Sequence, residues 1–232
     1  MIAKFTGEAA QVGGSYGYVA PSSDPRIVLN LMLEAADRVG HVDEVALALD
    51  CASSEMYNAE SDAYLLLDEP VPTSALIDFA EDLTETFNLV FIEDLLDEND
   101  WSGFAEATSR LTRTLVLADD LTVTNPQMLE RAVRENAVDG FILKPNQVGT
   151  ISEALDAYDF ATSHDLVAIP SGRSGGVIDD IVMDMSMGLQ VPFQKNGAPR
   201  SGERIEKLNF LIRAADEIGS SQMTDLSPLL RF

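Results

Sequence analysis

The sequence predicts an α/β domain of parallel strands, and three observations carry that reading. Short apolar runs alternate with stretches of helical spacing from about residue 24 onward. Nearly every run closes on a charged or polar residue. Hydrophobic residues make up 46% of the 232, enough for a sizeable core at single-domain length.

The elements follow in order. Residues 1–23 are rich in glycine and serine and form an irregular lead-in. Asp24-Pro25 opens a helix as cap and first-turn proline; Ile27, Val28, Leu31, Met32, Ala35 and Val39 repeat along it, and Gly40 stops it. The run 45–49 ends in Asp50. A hairpin-like stretch surrounds 64–67, and a helix carries Leu76, Phe79, Ala80, Leu83 and Phe87 on one face. Strand 89–93 leads to a helix through Trp101, Phe104 and Ala105. Strand 114–119 leads to a helix capped by Asn125-Pro126, and strand 140–144 to one whose Thr150 and Glu153 make a capping box. Strand 166–171 precedes a helix near 177–187. Strand 191–195 precedes the last helix, with Ile205, Leu208, Leu211, Ile212 and Ala215 along its face and Gly219 at its end. Six apolar runs, each returning through a helix, predict strands buried on both faces. An open doubly wound sheet and a (β/α) barrel both fit.

Charge narrows the partners. There are 39 acids against 15 bases, a net charge of −24. Such a surface repels nucleic acid and anionic membranes, which excludes both as partners. The acids are dispersed rather than gathered in a tail, a pattern that predicts a halophilic host. Cys51 is the only cysteine, so no intrachain disulfide forms and its apolar neighbours predict an inert thiol. No segment has signal-peptide or membrane-span character, and a cytoplasmic protein is expected.

The residues ending the runs are Asp50, Glu93, Asp119, Lys144, the turn 171–174 with Arg173 and Ser174, and Lys195. In a parallel β/α fold those ends share one rim, where sites are built. Three carboxylates on neighbouring strand ends repel one another unless a cation sits between them, and hard oxygen donors suit Mg²⁺. The bland counterpart is three solvated acids in an acidic protein. The chain has four lysines, and two of them, Lys144 and Lys195, end buried strands; a lysine there can serve as a general base. GRSGG offers the Ser174 hydroxyl and the Arg173 fork to an anion, although glycine-rich turns are commonly only turns. His41 and His164 fall near helix ends and read as surface residues. Trp101, Tyr158 and VMDMSMGL read as helix packing.

At these residues the chain resembles the enolase (phosphopyruvate hydratase) family. LALDCASSEMY, FIEDLLDENDW, LADDLTVTNP, LKPNQVGT, SGRSG and KNGAPRSGERIEKLNFLIR occur in the family's order. The resemblance implies the C-terminal TIM-barrel domain of that family over residues 1–232, in an incomplete form: about six β/α units, without the first two barrel strands or the N-terminal capping domain. It implies Mg²⁺ held by Asp50, Glu93 and Asp119, Lys144 as catalytic base, Lys195 on the substrate carboxylate, and Arg173 and Ser174 on its phosphate. The implied ligand is a small phosphorylated carboxylate, 2-phosphoglycerate or phosphoenolpyruvate, in glycolysis.

Departures are equally plain. The family's GDEGGFAP stands here as GSYGYVAP, so Tyr16 replaces the glutamate that acts as general acid and Ser15 the aspartate beside it. Gly172 replaces a histidine before Arg173, and Leu95 replaces a proline. Base and metal ligands are kept while the acid is lost, so this chain alone is not expected to dehydrate its substrate efficiently. Three readings follow: a relative without turnover that acts as a binding or regulatory subunit, a Mg²⁺-dependent lyase or isomerase using Lys144, or half of a hetero-complex. Six strands cannot close an eight-stranded barrel. The open edges need cover from residues 1–20, a homo-oligomer contact or a partner chain.

Overall fold

The local signals that set helix starts work as the sequence suggests. In the computed structural model, which describes residues 1–219 and 222–232, Asp24 accepts the Arg26 N–H at the start of one helix, and Asn125 those of Gln127 and Met128 at another. Thr150 accepts the Glu153 N–H at 3.1 Å and donates to its carboxylate at 2.7 Å.

In chain order the elements are α1 (Ile2–Thr6), α2 (Pro25–Arg38), β1 (Leu47–Asp50), β2 (Tyr57–Asn58), β3 (Ala63–Leu66), β4 (Glu69–Val71), α3 (Thr73–Thr86), β5 (Leu89–Glu93), α4 (Trp101–Arg110), β6 (Leu115–Ala118), α5 (Pro126–Glu135), β7 (Gly140–Leu143), α6 (Pro145–Val148), α7 (Ile151–Thr162), β8 (Val167–Pro170), α8 (Val182–Gly188) and α9 (Gly202–Ile218). Strands β1-β5-β6-β7-β8 form a parallel sheet in that order, and β2-β3-β4 a small antiparallel one. The hairpin-like stretch at 64–67 is therefore part of a three-stranded meander. Its Tyr64 is buried, and the Tyr64 hydroxyl accepts the Asp97 N–H at 2.8 Å.

The parallel sheet separates two cores by the two-residue alternation of strands. Leu115, Leu117, Ile142 and Ile169 pack on the inner face with Phe91, Phe193 and Leu229. Val116 and Ala118 face one group of helices, and Phe141, Leu143 and Ala168 another. Strands β6 and β7 are buried throughout, as continuous apolar runs require, whereas β1 alternates between buried and exposed as an edge does.

The sheet is curled. In a flat sheet Lys195, one position beyond β8, would lie about 24 Å from β1, five spacings of ~4.8 Å. Instead its Nζ donates to Asp50 Oδ2 at 2.9 Å. Only a barrel-like curvature brings the first strand and the last unit together across the inner face.

Three expectations are corrected. The run 191–195 forms no strand; it makes a one-residue parallel bridge, Ser171 with Lys195. Pro192 has no N–H to donate, and the Val191 N–H goes to the Ser186 carbonyl behind α8. The parallel sheet thus has five strands rather than six. In α2 the buried side chain is Leu29, with Leu33 packed against the core, while Met32 and Val39 of the expected stripe are exposed. In α9 the rotation is larger. Arg204 and Lys207 are buried, and Ile205, Leu208 and Ile212 are 44%, 40% and 62% exposed.

Residues 1–20 pair with neither edge of the parallel sheet. Val12 and Tyr18 bridge each other, and the loop between them is tied to α9 by Arg204, whose Nη1 donates to the Ser15 carbonyl at 2.6 Å. At the opposite end of the barrel Leu229 enters the inner core, and Arg231 forks onto Asp139 at 2.7 and 3.1 Å. Among the described residues no helix is long and apolar enough to cross a membrane.

Candidate metal and carboxylate site

The alternation that sorts the core also selects the rim residues. Leu115 and Leu117 face inward on β6, so Asp119, the next odd position, continues on that face. The same parity carries Ile142 to Lys144, Ile169 to Ser171 and Phe193 to Lys195. Each inward residue past a strand end is polar, and together they ring one mouth of the curled sheet.

Asp50, Glu93, Asp119, Lys144 and Lys195 are brought together. Lys195 Nζ donates to both Glu93 oxygens, at 2.7 and 2.6 Å, as well as to Asp50. Lys144 pairs with Asp119, and Gln147 Nε2 donates to the other Asp119 oxygen at 2.8 Å. The Lys144 backbone N–H is held by the buried Thr124 hydroxyl at 2.9 Å, and that hydroxyl donates to Gln147 at 2.7 Å. One threonine therefore sets the strand end and the orientation of the amide beside the acid.

Two carboxylates escaped the sequence reading. Asp94 sits at a left-handed φ of 46° just past β5 and accepts the N–H groups of Asp119 (2.9 Å) and Asp120 (3.2 and 3.3 Å). Its carboxylate groups with Asp50 and Glu93 on one side and with Asp119 and Asp120 on the other, each trio having ligand oxygens within 4.8 Å of one another. The doubled acids of FIED and LADD were the available signal. Gln147 closes no apolar run, because it lies four residues beyond the end of β7.

Burial dominates the electrostatics. It pushes Glu93 up to about 8 against the pull of the Lys195 ammonium, and Asp50 adds to the rise. It also pushes Asp94 up to about 7, although the two backbone N–H groups pull the other way. Asp120 is raised by burial and then by Asp119, with Lys144 and Arg173 opposing. Lys195, which burial alone would lower, is raised by the carboxylates of Glu93 and Asp50. Carboxyl groups crowded this way are short of positive charge. The donor set, all hard oxygens in two overlapping trios, fits a divalent cation of the Mg²⁺ type.

Arg173 and Ser174 stand in an exposed turn after β8, outside these ion pairs. Arg173 lies near enough to act on Asp120 through its charge. The turn is braced from below by Lys207, which pairs with Asp180 at 2.5 Å; a Cβ at Gly172 would lie 2.8 Å from its Nζ. Tyr16 is 42% exposed, with its ring 5.8 Å from the Arg204 guanidinium of α9. Cys51 is a poor nucleophile, because burial and then the Asp50, Asp94 and Glu93 charges push its thiol up to about 12. His41 is exposed and paired with Glu44, and His164 is exposed against Phe160.

Residues 1–225 match the family described as "Enolase, C-terminal TIM barrel domain". Among curated relatives, the enolase of Methanococcus aeolicus is 37% identical over 219 residues, 94% of this chain and 52% of that protein. The enolase of Halobacterium salinarum is 40% identical over 209 residues, 88% of this chain and 51% of that protein. The enolase of Pyrococcus furiosus is 36% identical over 221 residues, 94% and 51% respectively. The chain spans about half the length of these relatives. With the curled parallel sheet, the rim and this match in hand, the chain belongs to the enolase C-terminal barrel family.

Proposed function

We propose that the rim is a Mg²⁺-dependent site for a small phosphorylated carboxylate of the 2-phosphoglycerate or phosphoenolpyruvate kind, with Lys144 as its base. The observation that supports this most is the joint placement of Lys144, Lys195 and five carboxylates at one mouth of the curled sheet. Asp50, Glu93 and Asp119 are the assigned cation ligands, with Asp94 and Asp120 adjoining them. When bound, the cation would supply the positive charge that stabilises a substrate carboxylate as it takes on a second negative charge.

The chain's own residues then divide the work. Lys195, released from Asp50 and Glu93, grips the substrate carboxylate. Lys144, released from Asp119, accepts the proton from the carbon next to that carboxylate. Arg173 and Ser174 take the phosphate from the rim turn.

Departure of hydroxide needs a proton donor. Tyr16 stands where the family has its glutamate, and a phenol is a far weaker acid than a carboxylic acid for that step. The reading is therefore metal-dependent ligand binding and proton abstraction, with inefficient dehydration by this chain alone.

Calorimetric titration with Mg²⁺ at high salt, then with phosphoenolpyruvate or 2-phosphoglycerate, tests it on the wild type and Asp119→Asn. Ligand binding that requires Mg²⁺ and is lost in Asp119→Asn is expected. Absence of binding in the wild type refutes the site.

A further inference from the structure

We propose that Gln147 makes the rim selective for Mg²⁺ over Ca²⁺, by occupying one oxygen of Asp119 and leaving only the other for a cation. This rests on the cation reading of the rim and adds to it the residue that decides which ion fits. The rim carboxylates differ in what holds them. Both Glu93 oxygens and Asp50 Oδ2 accept from the Lys195 ammonium, and Asp119 Oδ2 accepts from that of Lys144. Those oxygens are held by charge, and a second positive charge beside them repels the lysines. Asp119 Oδ1 is held differently. Its partner is the neutral Gln147 amide, whose Nε2 donates to it at 2.8 Å. An amide carries no net charge for a cation at Oδ2 to drive away, so the bond to Oδ1 persists.

The amide is fixed at its other end as well. Gln147 lies in the single turn of α6, where its backbone N–H donates to the Lys144 carbonyl at 2.9 Å. Its Oε1 accepts from the Thr124 hydroxyl at 2.7 Å, and Thr124 is fully buried. That hydroxyl accepts the Lys144 N–H at 2.9 Å, so its own proton is free for Gln147, with the Ile142 carbonyl 3.2 Å away as the alternative. An ionised carboxylate can only accept. A flipped amide would therefore set its oxygen against that of Asp119, and Nε2 is the end that faces the acid. The ring closes through Lys144, whose backbone is held by Thr124 and whose ammonium pairs with Asp119. Base, cation ligand and amide share one network anchored on one buried threonine.

The number of oxygens on offer separates the two ions. Mg²⁺ demands a compact octahedron and is content with few protein oxygens, whereas Ca²⁺ takes about six to eight and readily binds a carboxylate through both of its oxygens. With Oδ1 tied to Gln147, Asp119 offers one. Removing the amide returns the second oxygen, which serves the larger ion and not the smaller one. Gln147 is thus a positioning residue that acts on the cation through Asp119.

The test is calorimetric titration of the full chain with Mg²⁺ and, separately, with Ca²⁺ at one high salt concentration, read as the ratio of the two affinities. Heats from Asp119→Asn are subtracted to remove cations that settle elsewhere on the acidic surface. Gln147→Met keeps the unbranched stem and loses the donor. It is expected to move the ratio toward Ca²⁺ by at least about tenfold, the scale of a hydrogen bond to a charged acceptor. Gln147→Glu, which puts a further hard oxygen where the donor stood, should move it at least as far. A residue that merely supports the fold would weaken both ions in proportion, so an unchanged ratio in Gln147→Met overturns the proposal. A second readout uses the wild type alone. One Gln147 Nε2 proton should exchange slowly with solvent in the cation-free chain and remain slow when Mg²⁺ is saturating; its release by Mg²⁺ would overturn the proposal too. A wild type that binds neither ion defeats the cation reading and this inference together. One that binds Mg²⁺ while Gln147→Met keeps its ratio defeats this inference alone.

Discussion

Replacing Lys207 by methionine isolates one buried charge, because the unbranched stem is kept and only the ammonium is lost. Lys207 is 4% exposed and its partner Asp180 is 2.5 Å away, with 18% of its side chain exposed. Breaking a buried pair by removing one member costs about 3–5 kcal/mol, because the other charge is stranded. Partial exposure of Asp180 puts Lys207→Met near the lower bound, about 3 kcal/mol. Asp180→Asn strands the more buried ammonium, so a value nearer ~5 kcal/mol is expected. The double variant has no stranded charge and should recover at least about 2 kcal/mol relative to additivity. Urea unfolding of the four proteins at one high salt concentration measures this, and a chain of this length should show about 2–4 °C of melting shift per kcal/mol. Lys207 also braces the turn bearing Arg173 and Ser174, so Lys207→Met should weaken binding of a phosphorylated ligand more than binding of Mg²⁺. A change below ~1 kcal/mol in the single variant, or strict additivity, would refute the buried-pair account.

Two further outcomes follow from packing and titration. A Cβ at Gly140 would overlap the Val167 carbonyl oxygen and lie 2.8 Å from Leu117 Cδ2; because the obstacle is the backbone of β8, Gly140→Ala should destabilise by about 3 kcal/mol in urea unfolding. In the cation-free chain Glu93 is raised to about 8 and Asp94 to about 7, so the native state holds protons that the unfolded state has released. The contribution of these groups is full below the ordinary carboxylate range and is lost as pH rises through 7 and 8. The urea midpoint should therefore fall between about pH 5 and 8, less steeply in Glu93→Gln, and added Mg²⁺ should oppose the fall; a steeper decline in Glu93→Gln would contradict the assignment.

How much of this was legible in the sequence depends on how local the signal is. Strands β5 to β8 were visible because strands buried on both faces are unbroken apolar runs, and the helix starts because Asp24, Asn125 and Thr150 cap through contacts two or three residues away. The run 191–195 misled because apolar content marks burial and not pairing; Pro192 cannot donate to a ladder. The α9 face misled for a related reason. Periodicity finds the apolar stripe, but the side that faces the core depends on what stands opposite, and here Arg204 reaches the Ser15 carbonyl and Lys207 reaches Asp180. At the rim, Asp50, Glu93, Asp119, Lys144 and Lys195 could be named because each closes an apolar run. Asp94 could not, since its role depends on a left-handed turn that aims its carboxylate at the N–H groups of the next strand end.

Lys195 joins the closure of the sheet to its chemistry, and its substitution separates them. Its ammonium lies between Asp50, whose side chain is 48% exposed, and Glu93, whose side chain is 1% exposed. Above about pH 8, where Glu93 is ionised, Lys195→Met leaves it buried without its cation, a loss of about 3 kcal/mol where Mg²⁺ is absent. The same ammonium competes with any metal ion for those oxygens. Its removal should tighten Mg²⁺ binding, because the ligand carboxylates need no longer give up a partner. Binding of phosphoenolpyruvate in the presence of Mg²⁺ should weaken, since the substrate carboxylate loses the group that grips it. Calorimetry of both ligands on the one variant reads the two effects independently. Opposite changes are the signature of a lysine that holds the rim together until a cation relieves it. Weakening of both would mean that Lys195 builds the metal site rather than competing for it, and the division of labour proposed for the rim would have to be abandoned.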